Sequence, residues 1–167
     1  RFQALRMPTV AAVNGVAAGA GSSLAMSCDI VVAAPAASFI QAFSKIGLIP
    51  DAGGTFLLAH RLGLARATAL AMTGDKLSAA QAKEWGVVCE VAEDCVAAAE
   101  ALAQRLAAMP TQALVRTRHL LRDAMTSSFE AQLQAERDAQ SALAKTHDYF
   151  EGVTAFLEKR APVFKGA

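Results

Sequence analysis

Short apolar runs separated by small-residue breaks pattern the first part of the chain. Thr9 to Val13 is apolar and stops at Asn14-Gly15, a turn pair, so it predicts a buried strand. "GAGSSLAMSC" then reads as a glycine-rich turn opening into a helix, and Asp29 to Ala33 of "DIVVAA" as a second short strand. A strand, a helix and a strand at this spacing predict a parallel pair joined by a right-handed crossover. The period changes after the loop around Asp51. A helix is predicted from Gly54 to about Arg61, Gly63 breaks it, and another runs from Ala65 to Met72 with Gly74 placed to stop it. Ser78 and Gln81 have capping-box spacing, Gly86 sits where that helix should end, and "VVCEVA" reads as a strand.

From Asp94 onward the pattern is helical throughout. Asp94 is placed to cap an alanine-rich helix to about Met109, and Pro110 with Thr111 starts the next. Ser127 and Glu130 have capping-box spacing for a helix reaching Lys145, with Phe129, Leu133, Gln140 and Leu143 on one side. Tyr149, Val153, Phe156 and Leu157 form the apolar side of a last short helix. The chain therefore divides into a strand-and-helix part, 1–109, and a helical part, 110–167. The second carries more apolar surface than it can hide alone, which predicts self-association.

Composition narrows the function classes. The 167 residues are 54% hydrophobic, enough for one substantial core. The net charge of +1 is spread along the chain, which gives no electrostatic case for nucleic acid or a bilayer as partner. Cys28, Cys89 and Cys95 form no CxxC pair and share no metal-ligand spacing with His60, His119 and His147, so a reducing compartment and no metal are expected. No apolar run reaches the roughly 20 residues of a membrane span, and "RFQALRMP" lacks a signal peptide's apolar segment. These features predict a cytoplasmic protein. The start, without Met and close upon an apolar run, reads as internal to a longer chain.

Two stretches carry candidate chemistry. In Gly15 to Ser23, "GVAAGAGSS", no Gly-Lys-Ser/Thr follows, and Leu24 stands where a third glycine of GxGxxG would be, so both phosphate-loop patterns fail. What remains is a set of backbone amides at a helix start, suited to an oxyanion; on composition alone, close packing of the helix on the sheet is the stronger reading. In "KIGLIPDAGGTF", Asp51 precedes a helix and is placed to cap it. Gly53 and Gly54, poor helix formers, point instead to close approach of a ligand. Cys28 and Cys95 read as core, and Arg61, Arg66 and Lys76 as solvated helix faces, one of which could meet a ligand's phosphates.

Taken together, "MPTVAAVNGVAAGAGSSLAMSCDIVVAA", "FSKIGLIPDAGGT", "MTGDKLSAAQAKEWGVV" and "EGVTAFLEKRAPVFKG" resemble the crotonase superfamily of acyl-CoA hydratases and isomerases along the whole chain. Within it the sequence is most similar to the phenylacetate-pathway isomerases, which convert ring-1,2-epoxyphenylacetyl-CoA to its oxepin form and also shift double bonds in enoyl-CoA thioesters. The resemblance implies an α/β crotonase-like spiral of strand-helix repeats with a C-terminal helical trimerisation region, assembled as a homotrimer or a dimer of trimers. It implies an acyl-CoA thioester as substrate, with coenzyme A arriving as part of it and no separate cofactor. The oxyanion amide falls on Ala20, between Gly19 and Gly21, while the family's second donor lies upstream, in a segment this sequence lacks.

The resemblance also places the acids. The two glutamates of the hydratases align with Ser23 and Phe43, neither of which can act as acid or base. The isomerase acid, after Ile-Pro, is Asp51, which Leu48, Ile49 and Pro50 are expected to desolvate and so make a stronger base. Gly53 and Gly54 would leave room for the thioester, Phe156 would line the pocket, and Lys159 would face the nucleotide. An isomerase using Asp51 and the Ala20 N–H is the expected activity. Hydration or another crotonase reaction with an acid outside this sequence, and a catalytically silent fragment or assembly module, are the alternatives.

Overall fold

In the computed structural model, which describes residues 2–167, the first strand, β1 (Val10–Val13), pairs in parallel with β3 (Ile30–Ala33) across the helix α1 (Ala20–Ser27). The register runs from Val10 opposite Ile30 to Val13 opposite Ala33, the unit that the apolar pattern predicts. β3 is central, with β6 (Glu90–Val91) on its other side. Val31, Val32 and Ala33 are fully buried, as a strand covered on both faces requires. The Asp29 carboxylate accepts the Thr9 N–H at 2.8 Å and the Thr9 hydroxyl at 3.0 Å, pinning the strand starts together.

A second sheet escapes the sequence pattern. β2 (Val16–Ala18) lies inside the stretch read as a glycine-rich turn; it pairs in parallel with β4 (Ser38–Ile40), which pairs antiparallel with β5 (Lys76–Ser78). Strands of three residues show no period of their own, and long-range partners hold each of them. "VVCEVA" contributes less strand than expected. Val87 and Val88 are buried ahead of β6, with both N–H groups bonded to the Ala82 carbonyl.

Around the sheets pack α2 (Gly54–Leu62), α3 (Leu64–Thr73), α4 (Ala79–Glu84) and α5 (Cys95–Ala107). Gly63 and Gly74 end α2 and α3 as predicted, and the Ser78–Gln81 capping box forms. Met26, Phe39, Leu57, Leu58, Leu62, Leu70 and Leu77 share one core with Val31 and Val87. Burying each such large side chain stabilises by roughly 1.5–3 kcal/mol. These elements form one compact unit, built mainly of Thr9–Leu102.

The other unit comprises Ala4–Pro8 and Ala103–Ala167. It holds α6 (Thr111–Asp123), α7 (Phe129–Leu143) and α8 (His147–Glu158). The cap of α7 is Ser128, whose hydroxyl accepts the Ala131 N–H, and not the expected Ser127. The Ser127 hydroxyl is engaged behind it, donating to the Asp123 carbonyl where α6 ends. After α8 the last residues turn back along the helix. Asp148 accepts the N–H groups of Lys165 and Gly166, both at 2.8 Å, and Glu151 accepts that of Val163 at 2.7 Å. No helix among the described residues is long and apolar enough to cross a membrane.

Candidate active site

The chain leaves β2 for α1 through Gly19, whose φ of 53° and ψ of −123° suit glycine and whose N–H donates to the Ile40 carbonyl at 2.8 Å. A side chain at Gly19 would also meet the Phe43 ring, which lies 3.2 Å from the position of a Cβ. Ala20 is the first helical residue and exposed, so its N–H has no intrahelical acceptor. Gly21 is exposed with open space beside it, so close packing explains Gly19 but not Gly21. Ser23 is fully buried one turn on, with its hydroxyl 3.4 Å from the Gly19 carbonyl, and Phe43 is half-buried against Gly19.

Asp51 does not cap α2. That place belongs to Gly53, with φ of 80° and no side-chain hydrogen bond, and Asp51 contributes only its carbonyl, which accepts the Gly54 N–H at 2.7 Å. A left-handed Ala52, φ 49°, followed by the left-handed Gly53, turns the chain between Asp51 and the start of α2. Among the described residues the carboxylate has no hydrogen bond or ion pair, and it is exposed. Leu48 and Ile49 are 59% and 78% exposed, so the apolar cover expected of them does not bury the acid. Gly54 is buried, and a Cβ there would lie 2.6 Å from the Ser23 Oγ and 3.0 Å from the Pro50 Cβ. Its missing side chain makes room for α1.

An amide-bearing turn and a carboxylate-bearing turn thus lie on one unit, at the starts of two helices, α1 and α2, that pack on each other. The sequence matches the family model described as enoyl-CoA hydratase/isomerase over residues 1–167. The chain belongs to the enoyl-CoA hydratase/isomerase family. It is 49% identical over 168 residues to the 1,2-epoxyphenylacetyl-CoA isomerase of Escherichia coli K12, covering 99% of this chain and 64% of that protein. It is 39% identical over 168 residues to the 2,3-dehydroadipyl-CoA hydratase of the same organism, covering 99% and 66%. The crystal structure of an enoyl-CoA hydratase from Polaromonas sp. JS666 superimposes with a TM-score of 0.94 at 38% identity, over 98% of this chain and 65% of that one. The chain therefore has the crotonase-like α/β fold, and it spans about 64% of the length of the first of these relatives.

The remaining candidates of this enoyl-CoA hydratase/isomerase chain divide between core, surface and the second unit. Cys28 and Cys95 are buried thiols. Burial and then the Asp29 charge push the Cys28 thiol up, against the opposing pull of Arg61 and a Thr9 hydrogen bond, so it stays protonated and packs as core. Arg61 is not a solvated face as the sequence suggested. It is half-buried and donates to the Cys28 carbonyl at 2.5 Å, joining α2 to the end of α1. Lys76 lies on β5, not on a helix, and Arg66 stacks over Trp85 at 4.8 Å.

Phe156 and Lys159 belong to the second unit, Phe156 on α8 and Lys159 at its left-handed end. Phe156 is 82% exposed and borders an apolar cavity of about 420 Å³ that Leu143, Tyr149, Val153 and Phe164 also line. One polar pair went unforeseen. Gln41, 3% exposed, donates to the Ser22 hydroxyl at 3.2 Å in the first turn of α1. A lone glutamine after a short apolar run carries no periodic signal, and only the missed strand β4 brings it there.

Proposed function

We propose that the protein isomerises acyl-CoA thioesters, with Asp51 moving the proton and the Ala20 N–H holding the thioester oxygen as charge develops on it. The Asp51 carboxylate takes the proton from the carbon beside the thioester carbonyl. The electron pair spreads onto the carbonyl oxygen, and the protonated acid returns the proton two carbons away. No atoms are gained or lost. That proton is too weakly acidic for a carboxylate unless the enolate is stabilised, and each oxyanion donor supplies about 3 kcal/mol. An exposed alanine whose backbone alone is used fits the role, as does a helix start whose amides are unspent.

The observation that carries this reading is the Asp51 carboxylate, spent neither on the α2 cap nor, among the described residues, on an ion pair; the family resemblance puts Ser23 and Phe43 where hydratases carry glutamates. The 49% identity to an isomerase of 1,2-epoxyphenylacetyl-CoA supports a ring-epoxide or β,γ-enoyl thioester as substrate. Coenzyme A would enter with the substrate and no further cofactor would be required. A homotrimer or dimer of trimers in the cytoplasm, with no nucleic-acid or membrane partner, belongs to the same reading. Asp51→Asn is expected to abolish double-bond shift while acyl-CoA still binds; retained turnover would sink the assignment. The 39% identity to a hydratase favours one second reading, hydration, which crotonyl-CoA as substrate would reveal.

A further inference from the structure

We propose that the side-chain-free contact between Gly54 and Ser23 is the spacer that fixes the Asp51 turn against the Ala20 turn, which makes both residues positioning residues of the isomerisation; this rests on the assignment of Asp51 and Ala20 above. Each half of the contact is tied to one reacting group by a single turn of backbone. On one side the Gly54 N–H donates to the Asp51 carbonyl at 2.7 Å. On the other, the Ser23 N–H donates to the Gly19 carbonyl at 3.1 Å, and the Ser23 hydroxyl lies 3.4 Å from the same oxygen, which belongs to the peptide carrying the Ala20 N–H.

The fit at the contact is close. A Cβ on Gly54 would stand 2.6 Å from the Ser23 Oγ, nearer than real Cβ contacts come, and 3.0 Å from the Cβ of Pro50, the residue bonded to Asp51. One added methyl would therefore press on the serine beneath the oxyanion turn and on the proline that leads into the acid. The Ser23 Oγ is a side-chain end, but it is fully buried, and turning it away gives up its donation to the Gly19 carbonyl. Pro50 is half-buried and rigid. The strain therefore goes into the oxyanion turn, through that lost bond, or into displacement of one turn relative to the other. Glycine is not demanded here by backbone conformation, since Gly54 is helical and has no positive φ. Reactions between groups held in place lose about 100-fold for a misplacement of about 1 Å.

Gly54→Ala in the full-length protein is expected to lower kcat by about 100-fold with little change in KM, since the two turns it displaces carry the groups proposed to act on the reacting carbon and oxygen. Removing the serine hydroxyl should relieve the pressure. The double variant Gly54→Ala/Ser23→Ala, in which only Pro50 must shift by a few tenths of an ångström, is expected to recover most of the lost kcat. Ser23→Thr loads the same contact from the α1 side and should reproduce the split if Gly54→Ala does not fold. Undiminished kcat in Gly54→Ala, a loss confined to KM, or a folded double variant with no recovery would each overturn the spacer. The result with Asp51→Asn separates the two readings. If that variant still isomerises while the double variant rescues, the spacer stands and the base is another group. If it is inactive while Gly54→Ala is unaffected, the spacer alone falls.

Discussion

Ala52 holds a φ of 49° beside Asp51, a left-handed conformation that costs a residue with a Cβ roughly 1–2 kcal/mol. Ala52→Gly relieves that strain and restores about 0.4–1 kcal/mol of unfolded-chain entropy, so its urea midpoint is expected at or above that of the parent. Ala52→Val, β-branched in the same conformation, is expected to lose about 1–3 kcal/mol. Gly19 is bound twice over, by its positive φ and by the Phe43 ring 3.2 Å from a Cβ position. Gly19→Ala should cost about 1–3 kcal/mol in denaturant unfolding and turn the Ala20 N–H out of place, with the proposed isomerase activity falling further than stability alone explains. At this scale the sequence singled out Gly19, Asp51 and Gly54 but misread what holds them. Asp before a helix reads as a cap, yet the Ala52–Gly53 turn hands the cap position to Gly53. The glycine pair read as room for a ligand, and the contact of Gly54 with Ser23 is visible only once α1 and α2 are packed.

Among elements, α8 and the tail after it form a unit held by carboxylates. Burial disfavours the Asp148 anion, but the Lys165 and Gly166 N–H groups, together with His147, outweigh it and hold the carboxyl below its usual value. Glu151 is held at about 2 by hydrogen bonds from Arg160 and then from the Val163 N–H. Both acids have folded values below their unfolded ones, so the stability they contribute is complete above the ordinary carboxylate range and is lost as pH falls through the folded values. The tail should therefore stay seated at neutral pH and loosen below the ordinary carboxylate range, with the Val163 amide losing exchange protection as pH falls toward about 2, the Glu151 value, and the Lys165 and Gly166 amides losing theirs as Asp148 protonates. Asp148→Asn should loosen those amides already at pH 7, leaving donors without a carboxylate at a cost of about 1–3 kcal/mol. Helix limits were legible where a cap or a glycine stop is local, as at Ser78, Gly63 and Gly74. They slipped by one residue at Ser128, where two adjacent serines compete and the exit of α6 decides between them. β2, β4 and β5 were illegible, because three residues are too few for a period and their partners lie far off in the chain.

Over the whole molecule, the helical part leaves large apolar side chains in solvent: Phe129 at 73%, Phe156 at 82% and Leu157 at 73% exposed, with Leu133 and Phe150 beside them in that class. Faces of this kind are covered in symmetric assemblies. Sedimentation is expected to return a trimer or its dimer, and Phe156→Glu to shift the mass downward; a parent protein that sediments as a monomer would remove this reading. By itself the sequence determined the family, the parallel β1–β3 pair about α1, the helical last part, and that Ala20 opens a helix and Asp51 precedes one. Each of these is written in local spacing, in turn residues, caps and motifs whose meaning survives without neighbours. Only the tertiary structure decided that a second sheet exists, that Asp51 keeps its carboxylate off the α2 cap, and that Gly54 is bare because Ser23 fills its place. Those outcomes depend on atoms from separate stretches of chain meeting at van der Waals distance, and residue types at fixed intervals along one strand of sequence do not encode such distances.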